Sequence, residues 1–218
     1  MKWNVKHDIF VLIVLAVAVI IACYYYTILP QMVASHYNGN GVVDSYSSKL
    51  HFVLLCLCIP IITYILSTYY LFSNALKKYF VMKFNTILIL RDVVITFAVF
   101  IMTLLFASGA EGKFPNNILG IGLGLLFILF GNYLPKIPSN YFFGIRTPWT
   151  LSSELIWNRT HKISGTLSIT GGLLIILFTL LRIKLGISIL VVLIPLGFYS
   201  VLIYPYFLSS KLEKGNNL

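Results

Sequence analysis

Charge is what this chain has least of. Only 10% of its 218 residues are charged, against about a quarter in an ordinary soluble domain. Six residues are acidic. A chain that is 59% hydrophobic, with a mean hydropathy of +0.91, is not a soluble globular domain. Cysteine is scarce as well. Cys23, Cys56 and Cys58 all lie inside apolar runs, and Cys56 and Cys58, two residues apart, face different sides of a helix. That spacing argues against a disulfide or a metal pair and for small residues in helix packing. HExxH, GxSxG and nucleotide-binding signatures are absent from the sequence, which removes the common zinc-peptidase, serine-hydrolase and ATP-driven readings. No cofactor and no metal are expected. The net charge of +10 alone would suit nucleic acid, but the basic residues cluster at the ends of apolar runs, as anchors and topology signals do. Direct nucleic-acid binding is therefore not expected.

What is present is hydrocarbon in six lengths. Runs at about 9–29, 51–72, 86–108, 117–134, 163–181 and 186–208 each approach the roughly 20 residues that a helix needs to cross a bilayer. The expectation is an all-α membrane protein of six transmembrane helices. Lys2 and Lys6 precede the first run as in a signal peptide, but the run is long enough to span and is read as retained. With the amino terminus inside, twelve of the sixteen Lys and Arg residues fall on the inner side, which places both termini in the cytoplasm. Two modules follow: residues 1–85 with an outer loop at 30–50, and residues 86–218 with an inner loop at 135–162.

The outer loop is polar. Asn38-Gly39-Asn40-Gly41 is a strong turn signal, and His36 and Asp44 flank it. A His–Asp pair there either orients a base or metal or simply holds the turn; two candidate ligands favour the second. Lys49 closes the loop. Within the third run, Arg91-Asp92 is a pair of ionisable residues near the inner face. It is either a functional contact inside the bundle, with the inner end of helix four as a partner, or an arginine that snorkels to the interface. Gly120 and Gly124 in helix four match Ser164, Ser168 and Gly172 in helix five as small-residue faces for close packing. Pro195 and Pro205 predict a kink in helix six.

The richest polar stretch is the inner loop, from Leu134 to Lys162. Pro135, Pro138 and Pro148 make its first half irregular. Thr147-Pro148 reads as a helix start, and Trp149 onward reads as an amphipathic helix at the inner membrane surface, about 148–162. Glu154, Asn158 and His161 share one face by spacing, and Trp157 suits the interface. A faint echo links the halves: Leu29-Pro30 then Ser35-His36-Tyr37, against Leu134-Pro135 then Ser139-Asn140-Tyr141. A three-plus-three inverted repeat would produce it.

The run Asn140-Tyr141-Phe142-Phe143-Gly144-Ile145-Arg146-Thr147-Pro148-Trp149, followed by Glu154, Trp157, Asn158 and His161, resembles the signature of the SdpI family of bacterial immunity proteins. The outer loop, with Pro30, His36, Tyr37, Asn38, Gly41, Asp44 and Lys49, resembles the membrane module that commonly precedes it. The resemblance implies protection of a toxin-producing cell from its own secreted peptide toxin. In the best-known member it also implies capture of a cytoplasmic repressor at the membrane. The outer loop would then meet toxin and the inner motif a partner. Two other classes compete: a gradient-driven transporter, and an intramembrane enzyme built on His36 with Asp44 or Glu154 with His161. The sequence holds no recognisable nucleophile and base on one side, so a non-enzymatic protein is expected.

Overall fold

The computed structural model describes residues 8–37, 43–72, 84–112, 115–140 and 144–215. Its elements, in order, are α1 (Ile9–Ile28), β1 (Met32–Tyr37), β2 (Val43–Ser48), α2 (Lys49–Phe72), α3 (Phe84–Glu111) and α4 (Asn116–Tyr133). A 3-10 turn (Leu134–Lys136), α5 (Pro148–Ser152), α6 (Glu154–Leu180), α7 (Leu185–Phe198), a π-helical segment (Tyr199–Ile203) and α8 (Tyr204–Gly215) complete the chain. Among the described residues, six helical stretches are long and apolar enough to cross a membrane: Ile9–Ile28, Lys49–Tyr69, Leu88–Glu111, Asn116–Lys136, Glu154–Leu180 and Leu185–Leu212. Their outward faces carry bulky apolar side chains such as Ile20, Leu66 and Leu190, as suits hydrocarbon solvent. The chain forms two compact units. One holds the described residues of Met1–Val81 and Leu88–Leu119, the other those of Met82–Ile87 and Gly120–Leu218.

In the first unit, α1, α2 and α3 enclose a core of Ala18, Ala22, Val53, Cys56, Val99, Met102 and Phe106. Phe106 is fully buried between the rings of Tyr25 and Phe52. The all-α expectation fails at the outer loop. There Met32–Tyr37 and Val43–Ser48 pair antiparallel, with Val33 opposite Ser47 and Ala34 opposite Tyr46, and a register irregularity at Ala34/His36. Two polar six-residue segments too short to span have backbone groups to satisfy, and pairing them across a turn does so. The hairpin is seated rather than free. Val33 is fully buried and fits because α3 offers Gly109: a Cβ there would lie 2.6 Å from Val33 Cγ1. The Lys49 amide donates to Gln31 O at 2.9 Å and closes the hairpin base. Cys56 is buried and Cys58 exposed, as two-residue spacing on a helix requires.

In the second unit, α4 and α6 pack antiparallel through glycine. A Cβ on Gly124 would stand 2.6 Å from Gly172 O, and one on Gly131 2.6 Å from Gly165 O. Gly120 abuts Thr179. Such backbone approach is what small residues permit in membranes. Gly171 instead receives the side chains of Leu196 and Val192 of α7. The sixth span departs from regular α-helix between its prolines. Pro195 lies inside α7, and the π segment ends two residues before Pro205. That proline cannot donate to the carbonyl four residues back, and its ring would collide with it; a wider turn relieves both problems.

Helix five is longer than the sequence suggested. The surface helix expected at 148–162 is instead two pieces: the single-turn α5, a break at Ser153 with extended backbone (φ −150°, ψ 127°), and then α6, which runs unbroken from Glu154 into the span. Charge at Arg159 and Lys162 does not interrupt a helix whose backbone bonds are local, so the change from polar to apolar at 162–163 is no boundary.

Candidate functional site

Among the described residues, polar side chains gather in three places, each within one unit. The first is the hairpin. His36 Nδ1 lies 2.5 Å from Asp44 Oδ1, with the two side chains 67% and 44% exposed. The irregular register brings them side by side on neighbouring strands, and Ser35 and Ser45 hydrogen bond beside them at 3.3 Å. Lys49 turns back to α1, donating to Tyr26 O at 3.0 Å with its ammonium 5.0 Å above the Tyr26 ring. Asn38 and Gly41 lie outside the described residues. Among the described residues no group of three or more His, Cys, Asp or Glu is gathered as a metal would need.

The second place is buried. Arg91 Nη2 lies 2.6 Å from Asp8 Oδ1 and 2.8 Å from Asp92 Oδ1, and Arg91 Nε donates to Asp92 at 2.9 Å. Arg91 Nη1 donates to the Thr68 hydroxyl at 3.3 Å, the Tyr64 hydroxyl donates to Asp8 Oδ2 at 3.1 Å, and the guanidinium stands 5.7 Å above the Tyr64 ring. The Arg91 and Asp8 side chains are 2% and 0% exposed. These partners come from the start of α1 and from α2. Two of the chain's six acidic residues therefore meet on one cation. Sequence reasoning missed Asp8, which directly precedes the first apolar run. It also missed Tyr64 and Thr68, although their four-residue spacing puts them on one helical face.

The third place is the inner motif. Trp157 and His161, one turn apart on α6, are fully buried and stacked, with ring centroids 4.1 Å apart and planes within 20°. The Trp157 indole donates to Ile137 O at 2.9 Å. His161 Nδ1 lies 2.9 Å from Trp157 O, and Ile145 N–H donates to His161 Nε2 at 3.0 Å. A carbonyl only accepts and an amide only donates, so the imidazole is neutral with its proton on Nδ1. Gly144 sits against the same ring with φ +102°, where a Cβ would run into His161 and stand 3.1 Å from Trp157 Cζ2. Glycine alone meets both conditions.

The turn that follows is capped as the sequence indicates. Thr147 N donates to Thr150 Oγ1 at 2.8 Å, Thr150 N donates back to Thr147 Oγ1 at 3.2 Å, and Pro148 begins α5. The Thr150 hydroxyl also reaches Ile145 O at 2.8 Å. Trp149 meets Tyr206 of α8 edge to face at 5.4 Å. Asn140 is buried and donates to Pro138 O at 2.7 Å. The motif thus divides. Trp157 and His161 hold the stretch against α6, Asn140 and Thr147 are buried in local hydrogen bonds, and Gly144, Arg146, Glu154 and Asn158 are exposed. Glu154, Asn158 and His161 share a face by spacing but not by surroundings, because Trp157 and Gly144 cover the histidine.

Residues 136–209 match the SdpI/YfhL protein family, and residues 12–63 match a Domain of unknown function (DUF1648). Along 95% of its length the chain is 25% identical to Immunity protein SdpI of Bacillus subtilis (strain 168), covering 98% of that protein. No solved structure matches it.

Proposed function

We propose that this SdpI-like chain is an integral membrane immunity protein that gives a bacterium resistance to a secreted peptide toxin. One observation carries the reading: the similarity to Immunity protein SdpI runs through nearly the whole of both chains, so it takes in both the hairpin and the inner motif. The six spans suit residence in the cell membrane. In this reading both termini are cytoplasmic, as the Lys and Arg bias favours. The hairpin then faces outward and offers His36, Asp44 and their neighbours to toxin, while Arg146, Glu154 and Asn158 are offered to the cytoplasm. The protein acts by binding, without turnover. Toxin engagement outside favours a state whose inner surface captures a cytoplasmic repressor, a coupling between two binding events.

The test is survival of a toxin-sensitive bacterium challenged with a secreted peptide toxin of the Sdp type. It compares wild type, Asp44→Ala and Arg146→Ala at matched membrane levels. Protection by wild type that is lost in Asp44→Ala and kept in Arg146→Ala supports outer-face toxin binding, with the inner motif serving signalling. Absence of protection by correctly inserted wild type sinks the reading. A second reading, a gradient-driven exporter, draws on the buried Asp8–Arg91–Asp92 cluster, since ionisable groups at membrane depth mark transport paths. It requires toxin movement that a protonophore abolishes.

A further inference from the structure

The polar-to-apolar change on α6 coincides with a groove. Asn158, Lys162, Gly165 and Ile169 of α6 face Asn132 at the end of α4 and Pro135 of the following turn, around an open volume of about 440 Å³. All of these residues belong to the second unit. One end of the groove is polar: Lys162 is its only charged residue, with the Asn132 and Asn158 carboxamides beside it. The other end is uncharged, with Thr166 beside Gly165 and Ile169. Ile163–Leu180 carries no charged residue, so Gly165 and Ile169 sit where the helix enters hydrocarbon. The nearest acid on the same face is Glu154, two turns or about 12 Å away along the axis, and Lys162 takes part in none of the salt bridges among the described residues. Asn132 spends an amide hydrogen on Ile128 O at 3.0 Å.

We infer that this groove is a binding site for an anionic phospholipid, with the phosphate on Lys162 and the Asn158 amide, and the start of an acyl chain along Gly165 and Ile169. A phosphodiester supplies the acceptor oxygens that an ammonium and a carboxamide donate to. The amphiphile's own change from charge to hydrocarbon matches that of the groove, and a lysine at this level presents its charge to the headgroup layer. Gly165 gives the groove its floor. Its missing side chain lets Pro135 approach, since a Cβ there would lie 2.9 Å from Pro135 Cγ. The inference does not depend on the immunity reading.

The full chain in mild detergent, mixed with phosphatidylglycerol or phosphatidylcholine of the same acyl length, is followed by native mass spectrometry. Phosphatidylglycerol should be retained over phosphatidylcholine, and Lys162→Gln should lower its retention about fivefold, the worth of one charged contact of about 1 kcal/mol. Lys162→Arg should keep most of it, and Asn158→Leu should lower it with the cation still present. Arg159→Gln, on the same helix but outside the groove, should change retention less than twofold. Equal retention of the two lipids overturns the proposal. So does an equal loss in Lys162→Gln and Arg159→Gln, which would mean general surface charge. Displacement of the lipid by free glycerol phosphate at equal concentration also overturns it, in favour of a soluble anion. Thermal unfolding of each variant within a few degrees of wild type shows that loss of lipid is not loss of fold.

Discussion

Replacing Arg91 by methionine tests the buried cluster most directly. Methionine keeps length and apolar bulk and removes only the guanidinium. Arg91 lies within 2.8 Å of a carboxylate oxygen on each of Asp8 and Asp92, so its loss leaves two acids facing each other without the cation between them. Asp8 is fully enclosed and Asp92 is 16% exposed, so water relieves the second more than the first. Breaking a buried pair on one side costs about 3–5 kcal/mol, and with two orphaned carboxylates the upper end is expected. Asp92→Asn leaves the Asp8 pair in place and should cost about 1–3 kcal/mol, in the range for weakening one charged hydrogen bond. The neutral triple variant Asp8→Asn, Arg91→Met, Asp92→Asn should recover most of the loss, because no charge is then buried. Unfolding in mixed micelles of maltoside with rising dodecyl sulfate, followed by circular dichroism, gives these differences. Arg91→Met within about 0.5 kcal/mol of wild type would refute the reasoning. A triple variant no better than Arg91→Met would show that shape and not charge holds the site together.

Three further outcomes follow from the second unit and the same unfolding assay. Gly144→Ala places a methyl group against the His161 ring at a positive φ and should cost about 1–3 kcal/mol or more, with the near-ultraviolet signal of Trp157 altered. Trp157→Phe keeps the stack on His161 but removes the donor to Ile137 O, for a loss of about 1 kcal/mol. Gly124→Leu forces α4 and α6 apart at their closest approach and should cost about 1–3 kcal/mol, the range for overpacking, whereas leucine at exposed Asn158 should have little effect on stability.

Much of the architecture is readable from composition, because a bilayer asks for one simple thing: lengths of hydrocarbon. Five of the six spans begin and end within a few residues of the apolar runs. The fifth does not, because its first turns are polar. A helix is held by local backbone bonds, so Trp157-Asn158-Arg159-Thr160-His161-Lys162 continues the rod that Ile163 carries into the membrane, and the true break falls at Ser153. The hairpin was half legible. Asn38-Gly39-Asn40-Gly41 signals a turn between two six-residue runs, but neither run alternates cleanly between polar and apolar, and Val33 is buried only because Gly109, 76 residues further along the chain, leaves room for it. The same limit applies to the polar sites. Arg91-Asp92 declares itself by its depth, but its partners at Asp8, Tyr64 and Thr68 are a matter of which helices meet. His161 can be placed on a helical face by counting. Only the return of the chain at Gly144 and Ile145 decides that this face is covered.

That return has a consequence in time as well as in space. Ile137 and Ile145 are both tied to α6, one through its carbonyl to Trp157 and the other through its amide to His161, one turn further on. The Ile145 amide belongs to no helix or strand, yet its acceptor is a buried ring nitrogen. Its proton therefore trades with solvent when the bond to His161 opens, and exchange at this non-helical position reports how often the chain lifts from α6.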